Sequence, residues 1–250
     1  MLHHPTCERL AQLRLFGMVQ ALTEQAQAPD LQALTFEERL GLLVDREFAE
    51  RQNRQMRNRL RQARLKQAAV AEDIDYRHPR GLDRAVRRLL AGDWVRAHQN
   101  VLVTGPCGVG KTYLACALAN AACRQGHTAL YQRLPHLFEE LALARADGRY
   151  LKLVTALAKV EVLVLDDWGL ALLDDERRRD LLEILDERYR TRSTVVASQL
   201  PVAHWHEALG HPTLADAILD RLVHHAHPLA LTGESLRKHQ PTLTEESTRE

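Results

Sequence analysis

The stretch Gly105-Pro106-Cys107-Gly108-Val109-Gly110-Lys111-Thr112 limits what this chain can fold into more than any other, because it fits the G-x-x-x-x-G-K-[ST] pattern of a phosphate-cradling loop. Asn100-Val101-Leu102-Val103-Thr104 before it reads as a short buried strand, and Tyr113 to Cys123 after it reads as an Ala- and Leu-rich helix. Strand, loop and helix in that order are the setting such a loop needs. Glycines 105, 108 and 110 let backbone N–H groups turn inward around an anion, and the helix N-terminus adds the positive end of its dipole. Lys111 is then placed to reach the β- and γ-phosphates of ATP and Thr112 to hold Mg²⁺, with Gly105 to Tyr113 as the nucleotide-binding segment.

A second apolar strand, Val162-Leu163-Val164-Leu165, ends in two carboxylates, Asp166 and Asp167. Adjacent acids at the end of a buried run are costly unless a cation or a water needs them. Asp166 is expected to orient the Mg²⁺ shell and Asp167 to polarise the water that attacks the γ-phosphate. A third strand, Thr194-Val195-Val196-Ala197, ends in Ser198-Gln199. If it lies beside the Asp166 strand, Gln199 has the reach to bond the γ-phosphate or the attacking water; an ordinary strand-end turn accounts for the spacing equally well. Downstream, Asp216 to Val223 is a helical segment in which Arg221 either pairs with Asp216 or Asp220 or is offered to a neighbouring subunit's γ-phosphate.

The N-terminal part has a different character. Residues from Pro5 to Gln27 follow a helical pattern, and a second helix opens at Thr35, with Glu38 completing a capping box. Leu40, Leu43, Val44 and Phe48 are expected to be its buried stripe. Between Arg51 and Lys66 there are seven basic residues and no acid, although the whole chain is nearly balanced at 34 Lys plus Arg against 33 Asp plus Glu. Arg54, Arg57, Arg61 and Arg64 recur at helical spacing, so with Arg51 they are candidate contacts to a double-stranded DNA backbone, whose phosphates neutralise such a stripe with release of counterions. A solvated helix face, or an arm pairing with an acidic neighbour, is the competing account.

The four cysteines show no paired spacing, which argues against a zinc site and a disulfide framework. His206 and His211 stand one residue too far apart for a helical zinc pair, and Pro212 interrupts the helix they would need. No leader pattern and no apolar run of about eighteen residues is present, so a cytoplasmic protein without a membrane partner is expected. The α/β pattern predicts a P-loop core with a parallel sheet flanked by helices, plus a small all-helical N-terminal domain. Composition places the boundaries at residues 1–70, 71–240 and a polar tail 241–250.

Taken together, GPCGVGKT, VLVLDDWG, TVVASQLP, DRLVHHAH and GESLRK resemble the IstB-type transposition helper ATPases of bacterial insertion sequences, relatives of the DnaC-type helicase loaders in the AAA+ class. The resemblance implies Walker A at Gly105 to Thr112, Walker B acids at Asp166 and Asp167, a sensor at Ser198 or Gln199 and an arginine finger at Arg221. It implies ATP-dependent assembly of a homo-oligomer on DNA and recruitment of an IstA-type transposase. Many AAA+ proteins carry Asp-Glu where this chain has Asp166-Asp167, and the short segment after the core weakens Arg237 as a second sensor. A helicase loader is the near alternative. A P-loop kinase acting on a small substrate, and a nucleotide-gated DNA scaffold, are more distant ones.

Overall fold

The computed structural model describes residues 5–76 and 84–236. The turn-rich stretch His78 to Gly81, the pair Arg237-Lys238 and the tail 241–250 lie outside them. The chain divides into two compact units, one running up to Asn58 and one from Arg59 onward.

The first unit contains α1 (Pro5–Gln12), α2 (Phe16–Gln27), α3 (Pro29–Gln32) and most of α4 (Phe36–Ala63). The single helix expected from Pro5 to Gln27 is two, because Arg14 takes a left-handed conformation at φ 58° and Leu15 N–H closes α1 on Leu10 O at 2.9 Å. The capping box forms as its residues predict: Thr35 N–H donates to Glu38 Oε2 at 2.8 Å, and Glu38 N–H donates to Thr35 Oγ1 at 3.3 Å.

The expected buried stripe of α4 is not buried. Leu40, Val44 and Phe48 are 40%, 51% and 63% exposed, and Leu43 is only partly covered. What α4 buries against α2 is Glu47, which accepts from Gly17 N–H at 2.8 Å and Met18 N–H at 3.3 Å while Arg51 Nε donates to its other oxygen at 2.7 Å. A carboxylate thus satisfies the first orphan donors of α2 and meets the positive end of its dipole. The helices approach so closely here that a Cβ on Gly17 would lie 2.7 Å from the Cα of Glu47.

The second unit adds α5 (Arg84–Leu90), α6 (Asp93–Arg96), β1 (Asn100–Thr104), α7 (Lys111–Arg124), β2 (Ala129–Arg133), α8 (Leu134–Ala146) and α9 (Tyr150–Lys159). There follow β3 (Val162–Trp168), α10 (Asp175–Arg188), β4 (Ser193–Ser198), α11 (Trp205–Leu209), α12 (Pro212–Val223) and β5 (Ala226–Ala230). The five strands are all parallel, in the order β2-β3-β4-β1-β5, with helices packed against the sheet. Strands β1 and β4 are buried along their whole length, as their unbroken apolar runs require of parallel strands covered on both faces. One layer of core joins Val101 and Val103 to the apolar face of α7, and the other joins Leu163 and Leu165 to α8, α10 and α12. Ala69 and Ile74, on either side of the expected boundary near residue 70, belong to the core of this second unit.

Two buried polar residues fix the sheet's lower edge. Asn100 donates to Arg221 O and Leu222 O at 3.0 and 3.1 Å and accepts from Thr194 N–H at 2.9 Å, tying the end of α12 to β1 and β4. Arg188 is 1% exposed and donates to Leu157 O and Val160 O, both at 2.7 Å, to Thr194 Oγ1 and to Ser193 O. Burial pulls its guanidinium down to about 9, which still leaves it charged at neutral pH.

Glu47 supplies a test of the first unit. Burial raises its pKa, but Arg51 and the two N–H donors outweigh burial and hold it below the ordinary 4.5. A depressed folded pKa contributes stability that is complete above pH 4.5 and is lost as pH falls through the folded value. Glu47→Gln is expected to cost about 1–3 kcal/mol at neutral pH and to flatten the acid limb of a pH series of thermal melts followed by circular dichroism; an unchanged acid limb would show the carboxylate to be idle.

Candidate functional site

The carboxyl ends of β1, β3 and β4 converge on a cavity of about 390 Å³ in the second unit. Gly108, Lys111, Thr112, Asp166, Asp167 and Gln199 are among its lining residues. Sequence reasoning placed all six there, and the topology is what unites them: β3 and β1 both flank β4, with Val103 opposite Ala197 and Trp168 opposite Ser198.

The loop between β1 and α7 needs its glycines for identifiable reasons. Gly105 has φ 145° and its missing Cβ would lie 2.3 Å from Leu231 O, and Gly108 has φ 83° with Ser235 Oγ 2.0 Å from where a Cβ would stand. Gly110, at φ 98°, caps α7, so the helix begins at Lys111 and aims its N-terminus into the cavity. Lys111 Nζ donates to Pro106 O at 2.7 Å within the loop. Val109 is fully buried beneath it, and Cys107 is exposed at its rim.

Asp166 is the hub. Its carboxylate is 3% exposed, and one oxygen, Oδ2, accepts from Thr112 Oγ1 at 2.8 Å and from Tyr131 OH at 2.6 Å, with Lys66 Nζ at 3.9 Å. Burial and the Asp166 carboxylate push the Tyr131 phenol well above its ordinary value, so it stays protonated and donates. The second acid behaves differently. Asp167 has φ 63°, its N–H donates to Asp166 Oδ1 at 3.0 Å, and its Oδ2 accepts from Arg133 Nε at 2.6 Å. The hydrogen bond and charge of Asp167 in turn hold the Arg133 guanidinium above its ordinary value.

Three residues at this site were not singled out as site residues in the sequence. Tyr131 and Arg133 lie on β2, a strand with no motif of its own, and reach the acids only because β2 pairs with β3, Arg133 opposite Asp166. Lys66 was counted in the basic stretch, yet with Gln67 it lines the cavity. The alternation of Tyr131 and Arg133 on one side of a short strand was the available signal.

Ser198 and Gln199 separate in role. Ser198 is buried, donating from Oγ to Trp168 O at 2.8 Å and accepting from Leu200 N–H at 3.0 Å, so Gln199 is the one that lines the cavity. Arg221, on α12, is paired with neither of its anticipated partners first: Nε donates to Asp186 Oδ1 at 2.7 Å, while Asp220 stands at 3.9 Å. It does not line the cavity among the described residues. The segment before Arg237 folds back on the loop, with Leu236 N–H donating to Gly108 O at 3.0 Å and Leu231 N–H to Thr104 O at 2.7 Å.

The basic stretch is only partly as expected. Arg51 is engaged by Glu47 and Arg57 by Glu50 at 2.8 Å, so acids from the preceding turns neutralise part of it. Arg59 donates to Cys123 O at 2.9 Å. Arg64 does not continue the helical row of Arg54, Arg57 and Arg61, because α4 ends at Ala63 and Arg64 has φ 49°. Among the described residues, no group of His, Cys, Asp and Glu is arranged to hold a metal by itself, and no helix is long and apolar enough to cross a membrane.

Comparison with known proteins agrees with this geometry. Residues 8–244 match the model of a family described as IstB-like ATP binding protein. An insertion sequence ATP-binding protein of Sinorhizobium fredii, y4pL, is 54% identical over 241 residues, covering 96% of this chain and 98% of its own. The insertion sequence IS21 ATP-binding protein of Pseudomonas aeruginosa is 37% identical, covering 92% of this chain and 86% of its own. Among solved structures, DnaI superposes with a TM-score of 0.59 at 27% identity over 70% of this chain and 94% of its own. The DnaC helicase loader shares the fold, with a TM-score of 0.51 at 23% identity over 59% of this chain and 86% of its own.

Tyr131→Phe removes one donor from the buried Asp166 carboxylate and little else. It is expected to destabilise the chain by about 1.5–3 kcal/mol in urea denaturation, the range for hydrogen bonds to charged groups; a loss below about 0.5 kcal/mol would mean that the phenol does not support Asp166.

Proposed function

The chain belongs to the IstB-like ATP binding protein family, and from that premise we propose that it is a DNA-associated AAA+ ATPase that assembles on target DNA and recruits or stimulates a partner transposase. The observation that carries the nucleotide half is Thr112 Oγ1 lying 2.8 Å from Asp166 Oδ2 beneath a glycine loop that opens a helix. Two hard oxygens side by side suit Mg²⁺, which takes one or two protein ligands and keeps its other positions for water and phosphate. Bound there with ATP, the ion would neutralise charge between the β- and γ-phosphates. Lys111 and the loop's N–H groups hold the phosphates, and Gln199 reaches the γ-phosphate end of the cavity.

Asp167 is the residue assigned to polarise the attacking water. Its pairing with Arg133 at 2.6 Å describes a state in which that carboxylate is already engaged. Hydrolysis here would draw on a carboxylate that Arg133 holds through Oδ2. Arg221, offered to a neighbour's γ-phosphate, would act from a position in which its Nε donates to Asp186. A need for a neighbour's Arg221 at the γ-phosphate would make turnover dependent on assembly.

The DNA half rests on α4 and the residues after it. Arg54, Arg57 and Arg61 keep helical spacing and form the proposed backbone contact, with Arg64 and Arg51 contributing from outside that row. The resemblance of the chain's motifs to the DnaC-type helicase loaders leaves a second reading, delivery of a replicative helicase. Sizing the protein on duplex DNA with and without a non-hydrolysable ATP analogue tests the assembly, and capture of a replicative helicase in preference to the transposase would favour the loader.

Lys111→Ala is expected to abolish binding of a fluorescent ATP analogue and all ATP turnover, while leaving the circular dichroism spectrum unchanged; normal turnover would refute the site. Replacing Arg54, Arg57 and Arg61 by Gln is expected to weaken binding to duplexes of any sequence and to lower the slope of log affinity against log salt by about 0.9 per lost phosphate contact. An unchanged slope would remove the row from the DNA interface.

A further inference from the structure

Lys66 belongs to none of the motifs that mark the nucleotide site, yet it lines the same cavity as Lys111, Thr112 and Asp166. Its Nζ stands 3.9 Å from Asp166 Oδ2, the oxygen that accepts from Thr112 Oγ1 at 2.8 Å and from Tyr131 OH at 2.6 Å. That separation is too long for a hydrogen bond, and Nζ makes none among the described residues. The lysine side chain is 44% exposed, and an ion pair so long and so open to water contributes little by itself. Neutralising Asp166 is therefore a weak reason for an ammonium to stand here.

The backbone that presents Lys66 is firmly held. Ala63 before it and Ala69 after it are both 0% exposed, in the same core cluster as Cys116 and Cys123 of α7. Arg59 Nε donates to Cys123 O at 2.9 Å, Arg64 turns the chain at φ 49°, and the main-chain N–H groups of Lys66 and Gln67 face the buried Cys116 thiol. Beyond the bend, Tyr113 OH donates to Val70 O at 3.4 Å, and Arg124 Nη1 donates to both oxygens of Glu72, at 2.6 and 2.9 Å. Residues 59–72 thus form a strap along α7. A side chain mounted in this way is pre-positioned for a ligand.

The charge of the cavity says which ligand. The phosphate loop offers one ammonium, Lys111, while Asp166 and Asp167 add negative charge to the same space and Arg133 is engaged with Asp167. An ion between Thr112 and Asp166 would bridge the β- and γ-phosphates, so an ammonium beside the same oxygen stands next to the terminal phosphate. The flexible stem of a lysine, with three donors at its tip, lets Lys66 turn from the carboxylate to a phosphate oxygen while its backbone stays in place.

We propose that Lys66 is a nucleotide-contacting residue that donates to the terminal phosphate and makes the site prefer ATP to ADP. The proposal rests on the nucleotide reading given above. It is tested by equilibrium binding of fluorescent ATP and ADP analogues to the full chain in the presence of Mg²⁺. Lys66→Met, which keeps an apolar stem, is expected to weaken ATP about ten-fold, as loss of a hydrogen bond to a charged group does, and to leave ADP within about two-fold. Lys66→Arg is expected to recover most of the loss. An equal loss for both nucleotides, accompanied by a lower urea midpoint without nucleotide, overturns the proposal by reducing Lys66 to a partner of Asp166. A gain in ATP affinity also overturns it, since Lys66 would then be a competitor for the cation site. Unchanged ATP binding in Lys66→Met, alongside binding that Lys111→Ala abolishes, overturns the role of Lys66 and leaves the proposed function standing. A wild type that binds neither analogue overturns both.

Discussion

A carboxylate buried to 3% exposure at the end of an apolar strand is the constraint around which the second unit is arranged. A carboxylate so buried needs polar partners, and those of Asp166 come from different elements: Thr112 from the first turn of α7 and Tyr131 from β2 donate to it, and the Lys66 ammonium from the segment after α4 stands 3.9 Å away. The parallel order of β2, β3, β4 and β1 is what brings these elements to one end of the sheet. The fold and the site are in that sense one problem: the topology that gathers these partners around Asp166 also lines the cavity.

The two acids sit in different surroundings. Asp166 is fixed from several sides and buried, as a residue that positions a cation should be. Asp167 is paired with a half-exposed arginine and sits on a left-handed backbone. Arg188 and Asn100, at the opposite end of the sheet, tie α12 and the segments flanking β3 and β4 together by donating to main-chain carbonyls.

Much of this was legible in the sequence, for local reasons. The strand before the phosphate loop and the helix after it follow from apolar runs and from glycines whose positions the backbone dictates, and the capping box at Thr35 follows from two residues three apart. What could not be read was anything set by topology. Tyr131 and Arg133 become site residues only once β2 is known to pair with β3, and Arg221 finds Asp186 only because α12 packs on α10. The stripe on α4 was misjudged for a different reason. Periodicity reports that a helix is two-sided, but not which side its own chain covers, and here the covered side holds Glu47 and Leu43 while the apolar row of Leu40, Val44 and Phe48 remains outside.

The hydrogen bond from Leu236 to Gly108 O carries a consequence for the phosphate loop itself. The carbonyl of Gly108 and the N–H of Val109 belong to one rigid trans peptide plane and point in opposite directions across it. Fastening the carbonyl from outside therefore sets the bearing of the N–H on the other face. The far end of the described chain acts as a set-screw on a single plane of the loop, and the orientation of that donor is a property of residues more than a hundred positions away in sequence.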